Sequence, residues 1–193
     1  MRKHLAQHLL AALVCLLGSL GVAQAQTGLT LRGDAVTGAA GDEVTVVFRT
    51  VGFWQITEGM GTIQWTPTVM DYVHAGDFGI PEITNGTFSL IPTGRLIFQW
   101  SSDNVTGNTL DDGTVLFSLT FGLHGSPGAS TTVAFTDGWT ELHFQSAENI
   151  NLPFSSDPAN VSIVPEPASG FLVLAGLAGC LLWYRRRRLR GPC

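Results

Sequence analysis

The sequence predicts an all-β protein that folds as an antiparallel β-sandwich. Between residues 27 and 163, apolar and polar side chains alternate repeatedly, which is the period of a strand with one buried face. Clusters of Gly, Asp, Asn and Pro separate these runs, as turns between short strands do. No part of this section shows the period of a helix. Many short strands joined by regular turns are typical of a sandwich.

The predicted strands follow one another along the chain, and each has one apolar row that we expect in the core. The first rows are Leu29 and Leu31; Val44, Val46 and Phe48; Ile63 and Trp65; Leu96, Phe98 and Trp100. The later rows are Val115, Phe117, Leu119 and Phe121; Val133 and Phe135; Leu142 and Phe144; Val161 and Ile163. Turns are predicted at residues 38–42, 85–86, 111–113, 125–128 and 137–138.

The N-terminal segment is typical of a secretory signal peptide. A basic start at residues 2–4 precedes an apolar stretch at residues 5–22. Ala25 ends a small-x-small motif, so we expect cleavage between Ala25 and Gln26. Residues 1–25 are therefore left out of the fold prediction. The alternative is an uncleaved N-terminal anchor.

The C-terminal segment has three consecutive features. A Pro-Glu-Pro sequence comes first, and its prolines disfavour a helix. An uncharged apolar run over residues 168–184 follows, and as a helix it would span about 25 Å at about 1.5 Å per residue. This predicts a short transmembrane helix. An arginine block comes last, and the positive-inside rule places it in the cytoplasm.

This order of features resembles the PEP-CTERM sorting signal of Gram-negative bacteria, with residues 164–190 as the signal. The matching motif residues are Pro165, Glu166, Pro167, Arg185, Arg186, Arg187 and Arg188. The short extension at residues 189–193 departs from the pattern. The resemblance implies processing by an exosortase, a membrane-embedded enzyme that usually accompanies exopolysaccharide synthesis. An ordinary C-terminal membrane anchor is the alternative.

The charge and cysteine content of the predicted domain exclude several classes of protein. Its only basic residues are Arg32, Arg49 and Arg95, whereas acidic residues are numerous. A nucleic-acid-binding protein needs a basic surface, so nucleic acid is excluded as a partner, and anionic lipid is disfavoured. The domain has no cysteine, which rules out disulfides and cysteine-based metal sites within it.

Three segments of the domain, in order, resemble cohesin domains. Residues 39–46 resemble the Gly-Asp opening before a strand, and residues 61–70 resemble the next strand and its turn, with Thr66 in place of the usual Asp. Residues 110–121 resemble a later loop and strand. The resemblance covers most of residues 29–163 and implies a nine-stranded jelly-roll sandwich, related to certain carbohydrate-binding modules. Cohesins bind dockerin modules, and scaffoldins that carry them organise polysaccharide-degrading enzymes.

The domain carries no recognisable catalytic motif. His74, His124 and His143 are scattered, without the spacing of a helical metal site. No nucleophile elbow or phosphate-binding loop occurs. We therefore predict a protein that is not an enzyme and has no cofactor, and a jelly-roll glycoside hydrolase is a further alternative. The oxygen-rich loop at residues 103–112 has the ligand types of calcium without EF-hand spacing, which leaves calcium open.

One aromatic residue is the main candidate for ligand contact. Trp54 lies outside the strand alternation and could stack on the face of a sugar; Trp139 is a weaker candidate. We predict an exported binding protein of the cell surface or extracellular matrix, held in the inner membrane as a precursor, with a polysaccharide as ligand. The alternatives are a cohesin-type protein–protein interaction module and a structural matrix protein.

Overall fold

The computed structural model describes residues 28–166, which fold into two β-sheets packed face to face. The predicted all-β sandwich is thereby confirmed. The predicted signal peptide, the predicted transmembrane helix at residues 168–184 and the arginine block lie outside the described residues, as does Pro167. Within residues 28–166, no helix has the length and apolar character needed to cross a membrane.

Twelve strands make up the sheets of the described chain. They are β1 (Leu29–Gly33), β2 (Val36–Gly38), β3 (Glu43–Val51), β4 (Ile56–Gln64), β5 (Met70–Gly76), β6 (Phe88–Ile91), β7 (Arg95–Ser101), β8 (Val115–Leu123), β9 (Ser130–Thr136), β10 (His143–Ser146), β11 (Phe154–Asp157) and β12 (Ala159–Ile163). One turn of 3-10 helix, Asn85–Thr87, precedes β6 where the sequence predicts a turn.

The strand pairing departs from the predicted antiparallel arrangement at the edges of the sandwich. One sheet has the order β11-β1-β3-β8-β5, and the other has the order β2-β12-β9-β4-β7-β6, with β10 also paired to β4. The pairs β1–β11 and β2–β12 are parallel, so the sandwich is not purely antiparallel. Parallel neighbours need a long connection, which the rest of the domain supplies. The chain exceeds nine strands because its first and last strands are each divided between the sheets, and β10 is additional.

The core lies between the sheets and is rich in aromatic rings. The predicted apolar rows are buried as expected, including Trp65 and Trp100, although Val115 and Leu142 are only partly covered. Phe117 is at the centre, with its ring centroid 5.2 Å from that of Phe48, 5.1 Å from that of Phe88 and 5.4 Å from that of Phe98. Because the domain has no disulfide, this packing supplies much of its stability.

Strand β8 is buried on both faces, whereas the alternation predicts one buried face. Leu116, Ser118 and Thr120 are buried in addition to the predicted row. The segment after β5 continues alongside β8: Gly79 N donates to the Leu116 carbonyl (2.9 Å), and Ser118 Oγ donates to Asp77 Oδ2 (2.9 Å). A side chain 41 residues away in the sequence therefore contacts Ser118 on what the local pattern predicts to be an outer face.

One end of the sandwich is the point where the described chain leaves it, and we call it the exit end. Strand β12 stops at Ile163, whose carbonyl accepts a hydrogen bond from Gly128 N (2.7 Å). Val164 N donates to the Gly38 carbonyl (2.9 Å), and the exposed residues 165–166 follow directly. Almost no linker separates the fold from the predicted sorting motif.

The opposite end, which we call the loop tip, is formed by residues 52–55, 102–113 and 147–151. Hydrogen bonds join these three loops: Ile56 N donates to the Asn108 carbonyl (2.9 Å), and Ala147 N donates to the Gln55 carbonyl (2.8 Å). Strand β4 runs from Ile56 at the loop tip toward Gln64, which pairs with Ala134 of β9. The two ends are therefore separated by the length of the sheet.

Candidate binding sites

Trp54 lies at the loop tip, beside a shallow cleft of about 370 Å³. Residues 52–54 form one wall of this cleft, and residues 109–112 form the other. The Trp54 side chain is 51% exposed, whereas the preceding Phe53 is buried and packs near Trp100, with ring centroids 6.3 Å apart. Of the two neighbouring aromatics in this turn, one anchors the loop in the core and the other faces outward.

Hydrogen bonds between its two walls fix the shape of the cleft. Gly52 N donates to Asp112 Oδ1 (2.8 Å), and Leu110 N donates to the Phe53 carbonyl (2.9 Å). Gln55, which has a positive φ of 50°, donates from its backbone N to Thr109 Oγ1 (3.0 Å). The side chains of Asp112 and Thr109 thus fix the backbone before and after Trp54 and hold the turn that carries the indole.

The cleft is electrostatically negative. Asp111 and Asp112 belong to its lining, and the lining contains no cation. Arg49 contacts this loop from outside the lining: its Nη1 donates to the Gly113 carbonyl (3.1 Å), and its Nε pairs with Asp34 Oδ2 (3.0 Å). The positive charge of Arg49 is therefore already paired with a carboxylate.

The second exposed tryptophan, Trp139, is fixed on the outer side of the other sheet. It lies in the loop between β9 and β10 and is 64% exposed. Its backbone N donates to Thr62 Oγ1 (3.0 Å), and Thr140 N donates to the same oxygen (3.3 Å). Thr62 of β4 is fully buried beneath this loop. Thr62 thereby holds Trp139 beside the middle of the sheet.

The surface next to Trp139, which we call the Ile97 face, consists of the outward side chains of β6, β7, β4, β9 and β10. Its rows, read across the strands, are Ile91, Arg95, Gln64 and Ala134; Ser89, Ile97, Thr62 and Thr136; Gln99, Met60 and His143. Ile97, Met60 and Ala134 are partly exposed, as is His143. Apolar and uncharged polar groups thus dominate the middle of this face, whereas Arg95 lies at one margin and Glu58, beside His143, lies at the other.

The outer surface of the opposite sheet, which we call the Val47 face, has a different character. Ion pairs cross it between Arg32 and Asp157 (3.2 Å) and between Arg49 and Asp34 (3.0 Å). Hydroxyls pair on it as well, such as Thr45 Oγ1 with Thr120 Oγ1 (3.1 Å). Interface centres are depleted in charge and enriched in aromatic residues and Met. The Ile97 face fits that composition better than the Val47 face.

The three histidines stay apart in the fold. His124 Nε2 lies 3.2 Å from Asp71 Oδ2, and His143 Nε2 lies 3.5 Å from Glu58 Oε1. In residues 28–166 no three His, Cys, Asp or Glu side chains come close enough to hold a metal ion. The carboxylates of the oxygen-rich loop at residues 103–112, Asp103, Asp111 and Asp112, therefore form no such cluster. Its Asn104 instead closes its own turn, because Nδ2 donates to the Gly107 carbonyl (2.9 Å).

Tyr72, on the edge strand β5, has a perturbed ionisation. Burial raises the pKa of its hydroxyl above the ordinary value of 10.0, and a backbone hydrogen bond at Ala75 acts in the opposite direction. Its ring packs against Phe121 and Trp65, with centroid separations of 6.1 and 6.4 Å. Tyr72 is a structural residue of the core margin, away from the loop tip.

Trp54, which the sequence places outside the strand alternation, is exposed, and Trp139 is exposed as well. The sequence around Trp139 shows an Asp-Gly turn and no alternation, which indicates a loop but does not locate it on a sheet. The contact with Thr62 that places it is 77 residues away in the chain. Of the predicted sorting motif, Pro165 and Glu166 are described and are exposed at the exit end.

No protein-family model and no curated protein matches the sequence. Solved cohesin structures are similar to the fold. The sixth cohesin of scaffoldin B from Acetivibrio cellulolyticus, in complex with a dockerin, has a TM-score of 0.59 at 19% identity, and the match covers 71% of this chain and 99% of that one. CaCohA2 from Clostridium acetobutylicum has a TM-score of 0.61 at 10% identity, covering 74% and 94%.

A cohesin from outside the cellulosome is similar as well. The non-cellulosomal cohesin of the hyperthermophilic archaeon Archaeoglobus fulgidus has a TM-score of 0.58 at 11% identity, and the match covers 75% of this chain and 97% of that one. Each of these domains is matched over nearly its whole length by the described sandwich. At such identities the similarity shows the fold, and residues 28–166 therefore form a β-sandwich similar to a cohesin domain.

Proposed function

We propose that the protein is a non-enzymatic module that binds another protein domain through the Ile97 face. The observation that carries this proposal is Trp139, which is 64% exposed and held over Thr62 beside the uncharged middle of that face. Hot spots of protein interfaces are enriched in Trp and lie among well-packed neighbours that exclude water. A flat sheet surface suits a folded partner better than a small molecule, which prefers a concave site.

Similarity to cohesins supports a partner of the dockerin type. At least four of the similar cohesins are described in complexes with dockerins, two from Acetivibrio cellulolyticus and two from Clostridium thermocellum. The cohesin-type interaction, an alternative from the sequence, therefore stands ahead of carbohydrate binding as the main function. The same similarity favours a binding module over the alternative of a jelly-roll glycoside hydrolase.

Charge variants on the two faces test the proposal. Full-length protein in mild detergent captures proteins from the source organism's extracellular fraction, as wild type, as Ile97→Arg and as Val47→Arg. Both positions are partly exposed, mid-strand and apolar, so the two variants are matched. We expect a partner that wild type and Val47→Arg retain and that Ile97→Arg loses by at least about tenfold, since an unpaired charge is costly at an interface centre. Capture that all three proteins share, or no capture, would contradict the proposal.

Export and sorting complete the proposed role. We propose that residues 1–25 direct export and that an exosortase acts at the Pro-Glu-Pro motif, which converts an inner-membrane precursor into a cell-surface or extracellular protein. The exposed Pro165 and Glu166 directly after β12 support this, because an accessible extended segment suits an enzyme cleft. Intact-mass measurement on surface protein tests it. A mature species that still carries Arg185 to Arg188 would mean a plain membrane anchor.

A neutral polysaccharide is the second candidate ligand. The observation that favours it is the half-exposed Trp54 beside its cleft. Trp139 and Trp54 lie on different surfaces, so the two binding functions are compatible. A purely structural matrix role would leave both tryptophans without a ligand.

A further inference from the structure

We propose that the loop tip is a second, separate binding site, built for a neutral glycan chain. This inference rests on the second candidate function and assigns to it a site, a set of contacting residues and a charge selectivity. The site consists of Trp54, Thr109, Asp111 and Asp112, around the cleft of about 370 Å³.

The indole of Trp54 supplies the apolar contact of the site. The C–H-rich face of a pyranose ring is weakly apolar and packs on a flat aromatic surface. The cleft volume falls within the range of small-molecule sites, so it has room for a short stretch of glycan. The backbone of the buried Phe53 fixes the base of the loop, which limits the ordering cost when a sugar binds.

Oxygen atoms on the opposite wall supply the polar contacts. Asp111 and Thr109 are exposed along the cleft, and carboxylate and hydroxyl oxygens accept hydrogen bonds from sugar hydroxyls. Asp112 acts indirectly, because its Oδ1 accepts from Gly52 N (2.8 Å) and keeps the two walls at a fixed distance.

The charge of the lining selects against acidic glycans. Two carboxylates with no cation in the lining repel uronates and sulfated sugars at short range, as well as phosphorylated ones. The paired Arg49 does not relieve this repulsion, because its guanidinium already bonds Asp34 and the Gly113 carbonyl. The site therefore favours neutral hexoses.

The position of the tip allows glycan and protein to bind at once. Strand β4 has nine residues and separates the loop tip from the exit-end side of the sheet by about 26 Å, at about 3.3 Å per residue. The cleft thus lies at the far end of the domain from the point where the chain leaves at Ile163. A glycan at the tip leaves the Ile97 face uncovered.

Calorimetry on the full-length chain in mild detergent tests this inference. The probes are four neutral hexasaccharides, from β-1,4-glucan, β-1,3-glucan, β-1,4-mannan and β-1,4-galactan, with hexagalacturonate as the acidic comparison. We expect at least one neutral probe to bind and the acidic one to show no binding. Trp54→Ala should weaken that binding by at least about tenfold, whereas Trp139→Ala leaves it unchanged. If no neutral probe binds, or if the two variants weaken binding alike, the inference is wrong.

A second variant separates stacking from a folding defect. Asp111→Asn removes a cleft charge and keeps the side-chain shape, and Asp103→Asn does the same at an exposed carboxylate outside the lining. We expect Asp111→Asn to lower the affinity for the neutral probe about three- to tenfold and Asp103→Asn to leave that affinity unchanged. Trp54→Ala should still capture the protein partner that wild type captures. If Trp54→Ala loses both the glycan and the protein partner, that variant has a folding defect. The comparison of Asp111→Asn with Asp103→Asn then tests the inference, and equal glycan binding by these two variants would contradict it.

Discussion

Gly107→Ala should disrupt the loop tip, whereas Gly128→Ala should not. Both glycines have left-handed backbones, with φ of 70° and 86°, so alanine costs about 1–2 kcal/mol at either position. A Cβ at Gly128 meets nothing within 4 Å, but a Cβ at Gly107 lies 2.3 Å from the Gln55 carbonyl carbon. Backbone cannot move aside as a flexible side chain can, so the Gly107 loop must shift away from Gln55.

The shift breaks hydrogen bonds that join the walls of the tip. Two of them, Gln55 N to Thr109 Oγ1 (3.0 Å) and Ile56 N to the Asn108 carbonyl (2.9 Å), contribute about 1 kcal/mol each. Gly107→Ala should therefore cost about 3–4 kcal/mol in total, against about 1–2 kcal/mol for Gly128→Ala.

Thermal and urea denaturation measure the difference. At about 4 °C per kcal/mol for a domain of this size, Gly107→Ala should lower Tm by about 12–16 °C and Gly128→Ala by about 4–8 °C. Gly107→Ala should also lose binding of the neutral hexasaccharide, because the turn that carries Trp54 is displaced. Equal loss of stability in the two variants would refute the steric reasoning, even if both lost stability.

Two further predictions concern the core. Phe117→Ala removes the ring between Phe48, Phe88 and Phe98, and should lower the free energy of unfolding by about 3–5 kcal/mol, whereas the 86%-exposed Val105→Ala should change it by less than about 0.5 kcal/mol; urea titration measures both. Burial raises the pKa of the Tyr72 hydroxyl above 10.0, so the folded state holds that proton more tightly than the unfolded state does. The contribution of Tyr72 to the free energy of unfolding is therefore fully present below pH 10 and is lost as the pH rises through the raised pKa. Tyr72→Phe should lack this alkaline loss, and identical pH profiles of unfolding for wild type and Tyr72→Phe would contradict the assignment.

Much of the fold is predictable from the sequence because the alternation of apolar and polar residues in each strand indicates which face is buried. The row of Leu96, Phe98 and Trp100 alternates cleanly and is buried in the structure. The alternation within a strand cannot show whether a segment far away in the sequence packs on its other face. The alternation in β8 predicts one buried face, yet Ser118 on the other face is buried and bonds to Asp77, which is 41 residues away.

The candidate sites divide in the same way. Trp54 is predictable because its own turn breaks the alternation, and the structure adds the Asp112 and Thr109 contacts that shape its cleft. The position of Trp139 depends on Thr62, a strand residue whose local pattern gives no sign of a loop above it. Contacts between distant segments create the proposed binding face, so single-sequence periodicity does not reveal it.

The most direct test of the central claim is a cross-linking footprint of the bound protein partner. A photoreactive residue replaces Ile97 in one variant and Val47 in another, both mid-strand and partly exposed, on opposite faces of the sandwich. The captured partner is then irradiated in complex with each, and the adducts are mapped by mass spectrometry. We predict adducts from position 97 and none from position 47. Adducts from position 47 alone would show that the partner binds the charged face and would contradict a docking site around Trp139.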